Sequence, residues 1–141
     1  MTEQSPHLEQ SICFQMYVAS KEIIRLYKPY LNEYNLTYTG FIAMLAIEDG
    51  MSVSSLGEAL FLDSGTLSPL LKKLEKHDLI KRVRSKEDER VLVLKLTEQG
   101  QLLKEKLPKI SETIYKQINE QAPTINYPQL LETLRTINRT L

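Results

Sequence analysis

One residue in the sequence could carry redox chemistry. Cys13 is the only cysteine among the 141 residues, and Tyr17 follows four residues later in the segment "LEQSICFQMY". Four residues make about one helical turn, so in a helix the thiol and the hydroxyl share a face. The pair suits a reactive sulfur with a hydroxyl beside it. A lone cysteine on an apolar helical face is more often a packing residue, and the local sequence leaves both interpretations open.

Composition narrows the class of protein. With 42% hydrophobic and 26% charged residues the chain is typical of one globular domain. No apolar run approaches a membrane span, and the start "MTEQSPHLEQ" lacks the layout of a signal peptide, so we expect a cytoplasmic protein with a reduced thiol. His7 and His77 lie far apart in sequence and do not suggest a metal site. No cofactor is predicted.

The charges are unevenly distributed along the chain. The formal net charge is zero, but the segment 64–95 holds nine basic and five acidic residues, and the remainder holds nine basic and 13 acidic. The segment is therefore +4 and the rest −4. A basic centre between acidic arms is the electrostatic pattern of a nucleic-acid-binding surface, although a charged run is also typical of a solvated face.

Hydrophobic spacing predicts helices on both sides of this basic segment. Ser5 can cap a first helix that starts at Pro6 and runs to a break near Pro29, which would place Cys13 about two turns from the helix N-terminus. A second, buried helix is predicted at about 39–48. Two further helices at about 53–60 and 65–76 flank the tight turn "FLD". The later helix carries a stripe of leucines that we expect to be buried: Leu67, Leu70, Leu71 and Leu74. Pro69 lies near the first turn of this helix, where we expect it to cost little stability.

The pattern then changes to the period of strands. "LIKRVRSKEDERVLVLKL" predicts two strands around the charged turn "SKEDE". Thr97 can cap a long helix that Pro108 should kink, and a last apolar helix follows "QAPTINYP". The fold class is mainly α with a small β-hairpin wing (α+β), a winged helix-turn-helix in one domain, 1–141. Segments 1–36 and 98–141 form dimerisation helices around a DNA-binding lobe, 37–97, because the arms are too apolar for a monomer.

The predicted second helix of the helix-turn-helix would enter the major groove of double-stranded DNA. Its early polar residues, Ser64, Thr66 and Ser68, could contact bases or phosphates, and the lysines are better suited to phosphates: Lys72, Lys73 and Lys76. The hairpin tip offers Arg84, Lys86 and Arg90 to the backbone or to a narrow minor groove. A homodimer would bind two half-sites of a pseudo-palindromic operator. A protein-interaction module with solvated lysines is the alternative.

The segment "GEALFLDSGTLSPLLKKLEKHDLIKRVRSKEDERVLVLKLTEQG", 57–100, resembles the core of the MarR family of transcriptional regulators, most specifically in "DER" and "LTEQG". "ICFQMY", "LYKPYL" and "NLTYTGF" are similar to the one-cysteine branch, which includes the organic hydroperoxide resistance regulator and staphylococcal regulators of the Sar type. The resemblance implies a dimeric repressor, not an enzyme, that senses peroxide through Cys13. It implies that tyrosines surround the thiol, some from the partner subunit: Tyr17, Tyr27 and Tyr38. It also implies a wing pair in which Asp88 supports Arg90.

The resemblance implies a thiol switch whose activation the local sequence does not supply. Peroxide would convert Cys13 to a sulfenic acid. Some relatives have a second cysteine that forms a disulfide, but this chain has none, so a low-molecular-weight thiol or cyclisation onto a backbone nitrogen must follow. Two alternatives remain open. One is release by a small aromatic ligand with Cys13 structural, and the other is a thiol peroxidase.

Overall fold

A computed structural model describes residues 6–141 of the chain. Within that range the chain forms seven helices and one antiparallel pair of strands. In chain order the elements are α1 (Pro6–Glu9), α2 (Ile12–Asn32), α3 (Tyr38–Ala46), α4 (Val53–Leu60), α5 (Ser64–Lys76), β1 (Ile80–Arg84), β2 (Leu92–Leu96), α6 (Glu98–Gln121) and α7 (Tyr127–Thr140). The predicted fold class is confirmed. The cap assigned to Ser5 lies outside the described residues.

The chain divides into two compact units, one that ends at Ile110 and one that spans Ser111–Leu141. The first unit has a continuous apolar core to which α2, α3, α4, α5, the two strands and the first part of α6 contribute. Its fully buried side chains include Phe41, Met44, Ile47, Leu56, Leu71, Leu74, Ile80, Leu94 and Leu107. Burial of these side chains holds the helix-turn-helix and the hairpin together as one body.

The N-terminal segment differs from the prediction of one helix ending near Pro29. Helix α1 ends at Glu9, and a new helix begins after Ser11, whose hydroxyl accepts a hydrogen bond from the N–H of Phe14 at 3.2 Å. Helix α2 then continues through Pro29 to Asn32. Periodicity could not show the break, because apolar residues keep helical spacing across it. Cys13 is therefore the second residue of a helix, not a residue two turns inside one.

The helix-turn-helix and the hairpin follow the predicted boundaries closely. Helix α4 ends where Phe61 adopts a left-handed conformation (φ 56°), and Asp63 caps α5. The four predicted leucines of α5 are all buried. Strands β1 and β2 pair with Ile80 opposite Leu96 and Arg84 opposite Leu92, which leaves residues 85–91 at the hairpin tip.

The base of the hairpin is fixed to the loop before α4 and to the start of α6. Asp49 accepts a hydrogen bond from the N–H of Leu96 at 2.7 Å, and the N–H of Leu94 donates to the carbonyl of Met51 at 2.7 Å. Thr97 caps α6 as predicted, accepting from the N–H of Gly100 at 2.9 Å. Its hydroxyl also donates to the carbonyl of Asp78 at 2.6 Å. These bonds set the wing relative to the helix-turn-helix.

The second unit contains the end of α6 and all of α7. Asn126 caps α7, and the hydroxyl of Tyr127 donates to the carbonyl of Ala122 at 2.7 Å. The rings of Tyr115 and Tyr127 meet edge to face at 5.5 Å. Leucines of α7 stay exposed beside them: Leu130, Leu131 and Leu134. None of the helices described in residues 6–141 is long and apolar enough to cross a membrane.

Candidate nucleic-acid interface and thiol site

Helix α5 begins at a cap that the sequence analysis did not identify. The carboxylate of Asp63 accepts a hydrogen bond from the backbone N–H of Thr66 at 2.7 Å. That bond, followed by one from the Thr66 hydroxyl, holds the pKa of Asp63 below its usual value. An aspartate at the start of an amphipathic run is a recognised N-cap signal, so the sequence did contain the information. The cap fixes where the polar end of α5 points.

The predicted DNA-contacting residues of α5 lie on its outer side, with one partial exception. Ser64 and Thr66 are exposed, and Ser68 is half-buried. The three lysines are exposed: Lys72, Lys73 and Lys76. Because successive residues turn by about 100°, the line opposite the buried leucines carries Gly65, Pro69, Lys72 and Lys76. Gly65 and Pro69 are not among the residues predicted to contact DNA, because neither has a polar side chain.

Pro69 lies deeper in α5 than the sequence analysis expected. It is the sixth residue of the helix, and the N–H of Leu67, two residues earlier, already donates to the carbonyl of Asp63 at 2.9 Å. Pro69 therefore removes a hydrogen bond that its N–H would have made to Gly65. The helix continues past it for seven residues to Lys76. The assumption that Pro69 costs little because it sits near the first turn is wrong.

The wing tip is organised around one charged pair. Arg90 Nε lies 3.1 Å from Asp88 Oδ1, and Arg90 Nη2 lies 3.2 Å from Asp88 Oδ2, so the guanidinium and the carboxylate meet in a bidentate pair. The backbone N–H of Arg90 donates to the same carboxylate at 3.1 Å. These bonds, the side-chain one first, hold the pKa of Asp88 below its usual value. The Arg90 side chain nevertheless stays 91% exposed, which leaves it free to contact a phosphate or a groove.

The other predicted wing residues have different environments. Arg84, the last residue of β1, donates a hydrogen bond from Nη1 to the carbonyl of Glu89 at 2.7 Å and so stabilises the hairpin tip. Lys86 is exposed at the tip. The wing is also joined to α5, because Arg82 Nε of β1 lies 2.6 Å from Glu75 Oε1 in a half-buried ion pair. This ion pair fixes β1 of the wing against α5.

Cys13 and Tyr17 occupy the exposed start of α2. Cys13 is exposed at the second helical position, where backbone N–H groups lack helical partners. Tyr17 lies one turn further and is 62% exposed, with Lys21 Nζ 6.0 Å from its ring centroid. The sequence analysis placed this helix end too far from the thiol.

Tyr27 and Tyr38 form a separate aromatic cluster. Tyr27 is buried, and its ring meets Tyr38 at 5.0 Å and Phe41 at 5.2 Å. Burial, and to a smaller degree the neighbouring Tyr27, raises the pKa of Tyr38 above its ordinary value. Cys13 and Tyr27 belong to the same helix fourteen residues apart, which is about 21 Å along the helix. One chain alone therefore does not bring the four predicted residues together.

The fold and this surface define a class of protein. A capped outer helix, a basic wing and the core beneath them make a winged helix-turn-helix of the kind that binds double-stranded DNA in transcriptional regulators.

Comparison with known proteins identifies the family. The model of the transcriptional regulators SarA/Rot matches residues 25–107. HTH-type transcriptional regulator SarZ of Staphylococcus aureus is 50% identical over 121 residues, which cover 84% of this chain and 82% of SarZ. The chain belongs to the SarA/Rot family and is a DNA-binding transcriptional regulator, not an enzyme.

Solved structures show the same architecture. The transcriptional repressor CouR, bound to a 23-mer DNA duplex, superposes with a TM-score of 0.87 at 21% identity over 98% of this chain and 99% of CouR. Reduced AbfR bound to DNA superposes with a TM-score of 0.73 at 26% identity over 95% of this chain and 94% of AbfR. The fold is that of MarR-type regulators, which confirms the resemblance inferred from the sequence.

Proposed function

We propose that this protein is a homodimeric repressor whose affinity for operator DNA is switched by oxidation of Cys13. The observation that carries the proposal is the separation of the thiol from its expected tyrosines within one chain. Cys13 is exposed at one end of α2, and Tyr27 is buried with Tyr38 near the other end. A second copy that packs against α2 would bring its own tyrosines to the thiol.

Exposed apolar side chains support assembly with a second copy. On the N-terminal helices Leu8 and Ile12 are exposed, Ile12 to 72%, and in the second unit Tyr115 and the α7 leucines are exposed. Apolar clusters of this kind on a soluble protein mark interaction surfaces. In a two-fold symmetric dimer, the same apolar patch of each copy packs against that of the other. The dimer would also align two recognition helices with two half-sites.

The chemistry of the switch follows from the positions of the thiol and the tyrosines. The thiolate attacks one peroxide oxygen, the O–O bond breaks, an alcohol leaves after taking a proton, and the sulfur becomes a sulfenic acid. A low-molecular-weight thiol then condenses with it, releasing water and leaving a mixed disulfide. Tyr38 stays protonated, since burial raises its pKa above the already high ordinary value, and the Tyr38 of a second copy can donate a hydrogen bond to the thiolate.

The capped sulfur would then act on DNA through the dimer. A mixed disulfide no longer fits beside the tyrosines, so α2 moves and the two recognition helices move with it. The distance between the recognition helices then no longer matches the distance between the two half-sites. AbfR has been solved on DNA both in the reduced and in the overoxidized form. We therefore expect release to require the bulk of a thiol cap rather than overoxidation. A regulator of this kind would work in the cytoplasm, where thiols are kept reduced.

Binding to DNA would use the surfaces described above. Ser64, Thr66 and Ser68 enter the major groove with the start of α5, and the helix lysines contact phosphates: Lys72, Lys73 and Lys76. Arg90, held by Asp88, enters the minor groove or lies along the backbone with Arg84 and Lys86.

The test is fluorescence anisotropy of a labelled duplex from the region upstream of the protein's own gene. Reduced wild type and Cys13→Ser are titrated, each with and without an organic hydroperoxide plus a low-molecular-weight thiol. We expect both proteins to bind when reduced and only wild type to release the duplex on oxidation. Tyr17→Phe serves as a matched variant, since it removes one hydroxyl beside the thiol and should slow oxidation without weakening the reduced complex.

The other outcomes separate the alternatives. Binding by both proteins with no response to oxidant would overturn the switch and leave release by a small aromatic ligand. Oxidised, thiol-capped wild type with full affinity for the duplex would remove the step that links the cap to DNA. Consumption of many peroxide equivalents per subunit would instead indicate a thiol peroxidase.

A further inference from the structure

The outermost line of α5 contains two residues that are unfavourable in a helix. Gly65 and Pro69 are both exposed, four residues apart, on the side opposite the buried leucines. Proline is the least favourable residue in a helix interior and glycine the next. Neither residue is needed to end the helix, because α5 continues to Lys76. Gly65 is only the second residue of α5, but Pro69 is the sixth, and a proline inside a helix on an exposed face indicates a functional constraint rather than a packing one.

We propose that Pro69 recognises the methyl group of one thymine in each half-site. The inference rests on the proposed placement of α5 in the major groove and specifies which base that helix reads. The thymine methyl is the only apolar group that a base pair presents in the major groove, and apolar side chains recognise it by contact. Pro69 supplies an exposed apolar ring without a hydrogen-bond donor.

The neighbours of Pro69 support this assignment. On the same outer line Lys72 and Lys76 carry charges that suit phosphates, so Pro69 is the apolar surface between them and the polar helix start. Gly65, one turn before Pro69, has no side chain to hold the helix away from the base edges. An added Cβ at Gly65 would meet only the Asp63 carboxylate, at 3.4 Å, so the protein interior does not require glycine there. In this proposal, glycine is required there by the close approach of α5 to DNA.

The experiment isolates one methyl group at a time. A short duplex is selected from a random pool by wild type, and each thymine is replaced by deoxyuracil, which lacks only the methyl. Affinities of wild type and Pro69→Ser are compared on every duplex by anisotropy. At one symmetric pair of positions, we expect deoxyuracil in one half-site to lower the affinity of wild type about fourfold. Deoxyuracil in both half-sites should lower it about fifteenfold, as the loss of one buried methyl group per half-site implies. Pro69→Ser should show no loss there.

Two controls keep the result interpretable. Pro69→Ser should fold, because serine is better tolerated than proline in a helix, and circular dichroism checks this. Lys73→Ala should bind every duplex more weakly, with a smaller salt dependence, yet keep the uracil sensitivity of wild type. Equal uracil sensitivity in wild type and Pro69→Ser at all positions would overturn the role of Pro69. Failure of wild type to bind any duplex would instead overturn the placement of α5 in DNA.

Discussion

At the scale of single residues, the wing shows how an exposed ion pair can matter without adding much stability. Asp88 and Arg90 are both at the surface, where such pairs contribute little to the free energy of unfolding. Three bonds to one carboxylate do restrict where the guanidinium points. A fixed orientation lowers the entropy that the side chain loses when it contacts DNA.

The pKa of Asp88 tests this arrangement. We expect Arg90→Gln to raise that pKa toward the ordinary value of 3.8, because the largest cause of its lowering is the Arg90 side chain. In wild type the pair is intact above the ordinary aspartate pKa and is lost as the pH falls through the lowered one. Carbon-detected NMR titration of the Asp88 carboxyl measures both values. Lys86→Gln, one charge lost elsewhere at the tip, is the control, and an unchanged pKa in Arg90→Gln would contradict the prediction.

The residue types of the candidate site could be predicted from sequence, but their proximity could not. Ser64, Thr66 and the lysines were found because polar residues alternate with a leucine stripe. Gly65 and Pro69 were missed because they have no polar group, and Asp63 because it was assigned to the turn. The separation of about 21 Å between Cys13 and Tyr27 was implicit in the prediction of one helix, whereas the packing of Tyr38 against Tyr27 became evident only in the structure.

At the scale of elements, the join between α5, the hairpin and α6 depends on one close backbone approach. Gly100, in the first turn of α6, is buried against Leu79, which immediately precedes β1, and an added Cβ would lie 2.0 Å from the Leu79 carbonyl oxygen. Since that neighbour is backbone, α6 or the hairpin would have to move. The wing is set by this contact as well as by the cap at Thr97.

We therefore expect Gly100→Ala to lower the free energy of unfolding by about 3 kcal/mol, at the upper end of the range for overpacking. It should also weaken DNA binding through displacement of the wing. Urea denaturation measures the stability. Gly65→Ala is the matched control for stability only, because its Cβ meets no backbone and a helical alanine should add up to about 1 kcal/mol, whereas its affinity for DNA is expected to fall. An unchanged free energy of unfolding in Gly100→Ala would show that the backbone contact between Gly100 and Leu79 tolerates a methyl group.

The ends of helices and strands could be predicted where the spacing of apolar residues changes, and not where it stays the same. The ends of α4 and the start of the hairpin were predictable because the spacing of apolar residues changes there. The break between Glu9 and Ile12 was not, because Leu8 and Ile12 keep a helical spacing of four across it. A capping serine was the remaining signal, and Ser11 is less conspicuous than the Ser5–Pro6 pair before it.

At the scale of the whole molecule, charge and apolar surface are separated along the sequence. The basic segment 64–95 forms α5 and the hairpin, whereas the exposed apolar cluster of the second unit lies outside it. That cluster is formed by Tyr115, Tyr127, Leu130, Leu131 and Leu134. The basic residues and the residues of the apolar cluster are therefore different, and a two-fold dimer formed through the cluster would use none of the basic residues.

The double variant Leu131→Glu, Leu134→Glu tests that arrangement. Both leucines are exposed, at 49% and 37%, so the substitutions should not disturb the fold of one chain but should place charges in the proposed dimer interface. We expect a monomer in analytical ultracentrifugation. Affinity for the operator should fall on the order of 100-fold or more, because a monomer contacts one half-site and loses the effective concentration of the second.

Leu102→Glu is the matched control for this variant. Leu102 is equally apolar and 56% exposed but lies outside the cluster, so its replacement should leave a dimer with unchanged DNA affinity. Circular dichroism of each variant confirms that the helices persist. A double variant that remains dimeric would contradict assembly through α7, since two buried, unpaired carboxylates per copy cannot be accommodated without a large loss. A monomer with undiminished operator affinity would instead contradict the two-half-site mode of binding.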